Sequence, residues 1–416
     1  MDLFKKIEKN FGPLGHYQQA AEGYYMFPKL EGPISNRMMF KGDEHIVWSI
    51  NNYLGLANHP EVRKADAEAA QEWGLAYPMG SRMMSGNSER HEELERRLAD
   101  FEGKEAAVLL NYGYQGIMSA IDALVGRHDV LVYDAECHAC IMDAIRMHLG
   151  KSFAYKHNDM QSLETQLQRA HKHMEGNPQA SLLVISEGVF GMKGDQGNLR
   201  DIVGLKEKYP FRLLVDDAHG FGTLGETGAG AGEEQGVMED IDVYFATFAK
   251  SMASIGAFLA GDKMVMDFLR YNLRSQIFAK SLPMPLVEGN LLRLQMLQEK
   301  SELRENLWRV VRALQGGLTS AGFQIGVTNS CVTPVFLKGS VEEAMALVYD
   351  LRTNYRIFCS IVIYPVIPKG EIILRLIPTA VHTLDDVNRS IEAFTAIQAR
   401  LQDGTYRKMA EAYQSS

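Results

Sequence analysis

The chain has 416 residues, 46% of them hydrophobic and 23% charged, with 43 basic and 52 acidic residues and a net charge of -9. That length holds one large α/β domain and a smaller one, and the composition excludes a disordered chain. The acid excess and the lack of any basic run argue against a nucleic-acid partner, and no window approaches the apolar length of a membrane span.

Met1 to Lys9 has no apolar core long enough for a signal peptide, so the expected location is the cytoplasm. Peripheral contact with a membrane is left open. Residues 1–55 read as an N-terminal arm, 56–295 as a large domain and 296–416 as a small C-terminal domain. The arm has a short helix, an extended stretch broken at Gly12-Pro13, Gly15 and Gly32-Pro33, and a strand at Ile46 to Ile50. Pro60 opens a helix reaching about Trp73, with Glu61 at its positive end. A glycine-bounded loop, Met79 to Asn87, precedes a helix at 89–102 with Leu94, Leu98 and Phe101 at helical spacing.

Strands and helices then alternate. Strands are predicted at Ala106 to Leu110, Val130 to Tyr133, Phe153 to Lys156, Leu182 to Ile185, Leu213 to Asp216, Val243 to Ala246 and Ile255 to Ala260. Helices are predicted at Tyr114 to Val125, Met142 to His148, Met160 to His171 and Leu199 to Lys208. This order implies a mostly parallel sheet covered on both faces, with ligands at the C-terminal ends of its strands. Helices follow at Val287 to Gln298 and from Glu302, and the pattern changes after Gly316-Gly317. The last stretch reads as a strand at Thr333 to Leu337, a helix at Val341 to Thr353, strands at Ile357 to Ile363 and Ile372 to Ile377, and a final helix at Asp385 to Leu401.

Chemistry-bearing residues fall at the strand ends. Lys250 sits between two buried runs, where its charge must be paired or its pKa lowered. A desolvated lysine is an amine nucleophile toward aldehydes, including pyridoxal phosphate. Asp216 closes another buried strand, with His219 three residues on. An aspartate beside a pyridinium nitrogen keeps that nitrogen protonated, so the ring can accept electrons. Asp217 reads instead as a helix cap. Gly113 and Tyr114 begin a glycine turn into a helix, whose backbone N–H groups suit a phosphate, and Thr247 can add a hydroxyl. His138 follows a strand and either lies on a planar ring or bonds backbone. Arg375, a charge in an apolar strand, needs an anion, which is either a substrate carboxylate or an internal partner. Cys137-His138-Ala139-Cys140 matches C-x-x-C, but there is no second pair to complete four zinc ligands. No metal site is expected, and Cys137, Cys140, Cys331 and Cys359 read as reduced, mostly buried thiols.

Taken in this order the residues resemble the α-oxoamine synthases, a branch of the fold-type-I pyridoxal-phosphate enzymes. The resemblance runs from Asn52 to about Thr383. It is carried by Asn52-Tyr53-Leu54-Gly55-Leu56, Gly80-Ser81-Arg82, Val215-Asp216-Asp217-Ala218-His219-Gly220, Thr247-Phe248-Ala249-Lys250, Leu374-Arg375-Leu376 and Ala380-Val381-His382. It implies a large domain with a mostly parallel central sheet, a small C-terminal α/β domain, and a homodimer with the active site at the subunit interface. By the same resemblance Lys250 bonds the cofactor, His138 stacks on its ring, Asp216 pairs with the ring nitrogen and His219 bonds the ring hydroxyl. Gly113, Tyr114 and Thr247 then hold the phosphate, and Arg375 the substrate carboxylate. The implied reaction is a decarboxylative Claisen-type condensation of a small amino acid with an acyl thioester, carried by coenzyme A or acyl carrier protein.

Three positions depart from the family pattern. Phe190-Gly191-Met192-Lys193-Gly194-Asp195 lacks a serine at 191, Ala249 stands where serine is common, and Ala279 replaces a hydroxyl expected to reach the partner's phosphate, with Lys280 or Ser281 as replacements. Thr247 to Ala253 together with Tyr77 to Met84 resemble a Bacteroidetes-type group linked to sulfonolipid synthesis, which condenses cysteate with fatty acyl carrier protein. Asn52, Ser81 and Arg82 are candidate donors to a sulfonate, with a structural loop contact as the alternative for Arg82. Serine with a long acyl chain, glycine with a short one, and alanine with pimeloyl are the other pairs. An aminotransferase on the same fold is the reading from a different reaction class.

Overall fold

Alternating apolar runs pair in register into a central sheet, as their spacing predicts. The structure, a computed structural model, describes residues 2–10, 12–15, 21–364, 367 and 369–415. Its strands are β1 Leu30–Glu31, β2 Arg37–Phe40, β3 Asp43–Val47, β4 Ala106–Leu110, β5 Val130–Asp134, β6 Lys151–Tyr155, β7 Leu182–Glu187, β8 Arg212–Asp216, β9 Val243–Thr247, β10 Ala257–Gly261, β11 Thr333–Lys338, β12 Ile357–Phe358, β13 Ser360–Val362 and β14 Glu371–Leu376. Two compact units form: 51–307 with 327–331, and 1–50 with 308–326 and 332–416. The sequence reading instead drew its boundaries at 55 and 296.

In the first unit seven strands run in the order β4-β10-β9-β8-β7-β5-β6. The neighbours from β9 through to β6 are parallel, while β10 lies antiparallel to both β4 and β9. All six residues of β7 are buried, as expected of a strand covered on both faces. The register sets Glu187 opposite Asp216, and Asp216 opposite Phe245. The carboxylate-bearing ends of β7 and β8 and the end of β9 are therefore level. Because β10 returns antiparallel, residues 248–256 form a hairpin loop at that end of the sheet. Phe248 N–H donates to Gly256 O (3.0 Å) and Thr247 Oγ1 to the same carbonyl (3.1 Å), closing the loop that carries Lys250.

The second unit holds two small sheets, β1-β2-β3-β12 and β11-β14-β13. Its core is organised on Trp48. The indole is fully buried, stacks on His382 (centroids 3.8 Å apart, planes 4° apart) and donates to Ser390 Oγ at 2.9 Å. Trp48 N–H donates to Phe358 O and its carbonyl accepts from Ile377 N–H, both at 2.7 Å. Burial pushes the His382 pKa down to about 4, so the ring is neutral at neutral pH.

Several expectations are corrected. The predicted strand Ile46 to Ile50 is Asp43–Val47 instead, and the N-terminal stretch expected to be an extended arm contributes three strands. One predicted strand, Ile357 to Ile363, is two, which join different sheets on either side of Cys359. Helix Ser301–Ser320 runs straight through Gly316-Gly317. A Cβ on Gly317 would lie 2.1 Å from Ile391 Cδ1, so this glycine permits close packing rather than ending the helix. A last helix, Thr405–Ser415, was not foreseen.

Replacing Trp48 by alanine removes the stacked partner of His382 and opens a large cavity. The expected loss is about 3–5 kcal/mol of unfolding free energy, read by urea denaturation. A loss below about 1 kcal/mol would contradict this account of the core.

Candidate active site

The ends of β5, β7, β8 and β9 present Asp134, Glu187, Asp216 and Thr247. Asp216 is 5% exposed, and its Oδ1 accepts from Ala218 N–H at 3.1 Å. Burial raises its pKa, while the positive charge of Lys250 and then the nearby His138 pull it back. Burial also lowers the pKa of His138, opposed by Asp216 and reinforced by Lys250. The structure thus brings Lys250, Asp216 and His138 into one electrostatic neighbourhood. Lys250 itself is half-buried in the β9–β10 loop.

His219 is 7% exposed and shares a 2.7 Å hydrogen bond between its Nδ1 and the Tyr53 hydroxyl. Its Nε2 lies so near Gly191 that a Cβ there would sit 2.3 Å away. The serine absent at 191 could not be accommodated without moving the imidazole. Gly113 opens helix Gly113–Leu124 right beside Thr247: a Cβ on it would be 3.3 Å from both Thr247 Oγ1 and Phe245 Cζ. Tyr114 sits edge-on to His138, centroids 6.0 Å apart, with its hydroxyl donating to Asp143.

Three candidates have other engagements. Arg82 grips Glu95 with two hydrogen bonds of 2.9 Å and donates from Nε to Asn87 at 2.6 Å. Glu95 also accepts from Arg270 and Leu109 N–H, so the structural loop contact describes this arginine and not a sulfonate donor. Asn52 is 4% exposed, and its Oδ1 accepts from Ala57 N–H at 3.0 Å, which holds the turn after it. Ser81 O anchors its loop by accepting from Met84 and Gly86 N–H. Arg375 belongs to the other unit, partly exposed in β14 opposite Pro334 and Ser360. Asp217 does cap a helix, though one distant in sequence: its Oδ2 accepts from Ala231 N–H at 2.7 Å and from the Tyr244 hydroxyl at 3.1 Å.

Sequence reasoning missed four participants. Glu187 is 5% exposed, accepts the His138 backbone N–H, and is pushed far up by burial and then by Asp216. Tyr53 was quoted only as part of a motif. Cys140 contacts His138 Nδ1. His157 bonds Asp134 (3.0 Å) and Asp195 (2.8 Å), tying the loop before His138 to the loop that carries Gly191. The rule that singled out Asp216, a polar group ending an apolar strand, applies equally to Glu187 and Asp134. The C-x-x-C thiols are buried, as expected.

The aminotransferase class I and II family model matches residues 43–394. The chain belongs to this family. Within it, the chain is 62% identical over 406 residues to the cysteate-C-fatty acyltransferase of Capnocytophaga ochracea, covering 98% of this chain and 96% of that one. It is 34% identical over 371 residues to the serine palmitoyltransferase of Bacteriovorax stolpii, covering 89% and 86%. An SPT solved with a PLP internal aldimine superposes with a TM-score of 0.88 at 28% identity, covering 97% of this chain and all of that one. The protein is an α-oxoamine synthase, a pyridoxal-phosphate-dependent acyltransferase of fold type I.

The residues fit that cofactor. A glycine-walled helix N-terminus lies against a threonine hydroxyl, an arrangement whose N–H groups suit a phosphate. A buried carboxylate and an amine share the level of the strand ends, as a protonated ring nitrogen and an aldehyde carbon require.

His157 is the partly buried charge that helps hold the two site loops together, beside the Lys193–Glu136 pair at the surface. Burial opposes that charge, but hydrogen bonds to Asp134 and Asp195 raise its pKa to about 10. The folded value lies above the unfolded value of about 6.5, so the stabilisation is complete below about pH 6.5 and is lost as pH rises through about 10. His157→Gln is expected to cost roughly 3 kcal/mol at pH 6.5. The difference from wild type should shrink as denaturation is repeated up to pH 10.5; a difference independent of pH would contradict the charged pairing.

Proposed function

We propose that the protein condenses L-cysteate with a fatty acyl thioester presented by acyl carrier protein, releasing carbon dioxide and free thiol and giving a 3-keto sulfonolipid base. The observation that supports the reaction type is that Lys250 and His138, on the loops after β9 and β5, act electrostatically on Asp216 at the end of β8. The choice of cysteate leans on the 62% identity to a cysteate-C-fatty acyltransferase.

When bound, pyridoxal phosphate supplies an electron sink for charge developing at the amino acid's α-carbon. In this reading Lys250 would hold the cofactor, and its amine would take the α-proton of the amino acid as general base. Asp216 keeps a proton on the ring nitrogen through its buried carboxylate. His219, oriented by Tyr53, bonds the ring hydroxyl. Gly113 and Tyr114 N–H with Thr247 Oγ1 would hold the phosphate, and His138 would lie on the ring and donate to the substrate's acid group or the acyl oxygen. Arg375 binds the α-carboxylate bidentately. With Arg82 committed to Glu95, the sulfonate is left to Asn52, Ser81 and backbone donors.

The working form is a homodimer with the site at the subunit interface. Exposed Leu75, Tyr77, Met79, Met84 and Phe278 support it, since apolar side chains of that size gather at interfaces. Among the described residues no helix is long and apolar enough to cross a membrane. The four cysteines are free thiols, which suits the cytoplasm.

The test titrates the purified holoenzyme with cysteate, serine, glycine and alanine and follows the cofactor's visible absorbance. Cysteate should half-saturate at the lowest concentration, and fatty acyl carrier protein should then yield one carbon dioxide per free thiol. A lower half-saturation with serine would overturn the substrate assignment. Lys250→Ala should reduce turnover about 10²–10⁴-fold, and a variant with full turnover would overturn the assignment of the base.

A further inference from the structure

Two donors converge on one nitrogen of His138. Cys140 N lies 3.3 Å from Nδ1, where the imidazole caps helix Ala139–Met147. The Cys140 Sγ lies 2.9 Å from the same atom. A backbone N–H can only donate, so Nδ1 must present its lone pair. A proton on Nδ1 would face that N–H head-on and forfeit the cap. The thiol is 3% exposed, and burial, then Asp216 and Glu187, push its pKa far above the neutral range, so it keeps its hydrogen and donates it.

We propose that Cys140 is a positioning residue that fixes the His138 imidazole in the tautomer with its hydrogen on Nε2. Nδ1 faces the first turn of its own helix, so Nε2 lies on the opposite edge of the ring, and His138 is exposed in the single chain. The ring therefore offers a permanent N–H donor outward. That this donor meets the substrate's acid group or acyl oxygen rests on the function proposed above; the tautomer itself does not. The groups facing His138 are Lys250 and Asp216, the Glu187 carboxylate on its backbone N–H, and Tyr114 edge-on with its hydroxyl on Asp143. Of the side chains around the ring, Cys140 is the one whose Sγ lies 2.9 Å from Nδ1. Cys137, whose thiol lies 4.0 Å from Ile185 O, points elsewhere and is the natural control.

The experiment labels the holoenzyme with ¹⁵N-histidine and records wild type, Cys140→Ala, Cys140→Ser and Cys137→Ala across pH. The His138 signals are assigned by their loss in His138→Gln. In wild type, Nδ1 should resonate as a lone-pair nitrogen and Nε2 as a protonated one. Cys140→Ala should mix the two tautomers and raise the protonation midpoint by about half to one pH unit, because the neutral ring loses a donor. In that variant kcat/KM should fall about three- to tenfold. Cys140→Ser, which keeps a donor, should restore all three readouts, and Cys137→Ala should leave them unchanged.

A proton on Nδ1 in wild type overturns the proposal even if Cys140→Ala fails to fold. So does a folded Cys140→Ala with wild-type spectrum and midpoint. The expected tautomer in an enzyme that condenses no cysteate would leave this inference standing and remove the functional reading alone.

Discussion

Two carboxylates, buried side by side at the ends of neighbouring strands, set the charge problem that the site solves. Glu187 and Asp216 are register partners in β7 and β8, about 5 Å apart along the sheet. Burial raises both, and Asp216 raises Glu187 further. Two negative charges at that spacing out of water would cost several kcal/mol unless a cation or a proton offsets them. Lys250 lowers the pKa of each, and the Glu187 carboxylate also takes the His138 N–H. In the proposed reading, a cofactor with a protonated ring nitrogen would add the remaining positive charge. In this view the parallel register builds the site: a slip of one residue in either strand would turn its carboxylate to the other face of the sheet and separate the pair.

What surrounds that pair is mostly loop, and the loops are held by buried polar groups. His157 spans from Asp134 to Asp195, Tyr53 orients His219, and Asp217 holds the start of a distant helix. Asp217 is packed so tightly that a Cβ on Gly188, Gly220 or Gly230 would come within about 2 Å of its carboxylate oxygens. Burial lifts its pKa to about 7, opposed by the Ala231 and Tyr244 donors. The positions of His138, Gly191 and His219 thus depend on hydrogen bonds made away from the carboxylate pair.

The central sheet was legible because its strands are short apolar runs, four of which, β5, β7, β8 and β9, end in a polar residue, and period and length decide such runs. Lys250, Asp216 and His138 were legible for the same reason: they close or follow buried strands, where a polar group needs a purpose. Less was legible where tertiary packing overrides local preference. Gly316-Gly317 looks like a helix stop, and only the Ile391 side chain pressed against it explains why the helix continues. Cys359 falls inside an apolar run, yet the strands on either side of it join different sheets, β12 pairing with β3 near the N-terminus and β13 with the neighbouring β14. Arg82 is a loop arginine by sequence, and its role became readable only with Glu95 in place.

The C-x-x-C match shows how one spacing serves different chemistry. Two cysteines three residues apart with a histidine between suggest a metal or a redox pair, because those uses need both thiols facing one point. Here the first thiol turns into the sheet near Ile185 and the second turns back onto the histidine that begins their helix. Between them, His138 is the N-cap of helix Ala139–Met147, and a side chain at the cap meets the residue two positions on. Burial holds both thiols protonated, which removes the thiolate that metal binding and disulfide exchange require. What remains to Cys140 is the S–H as a donor, and the atom within its reach is the imidazole nitrogen whose protonation decides which edge of His138 can donate.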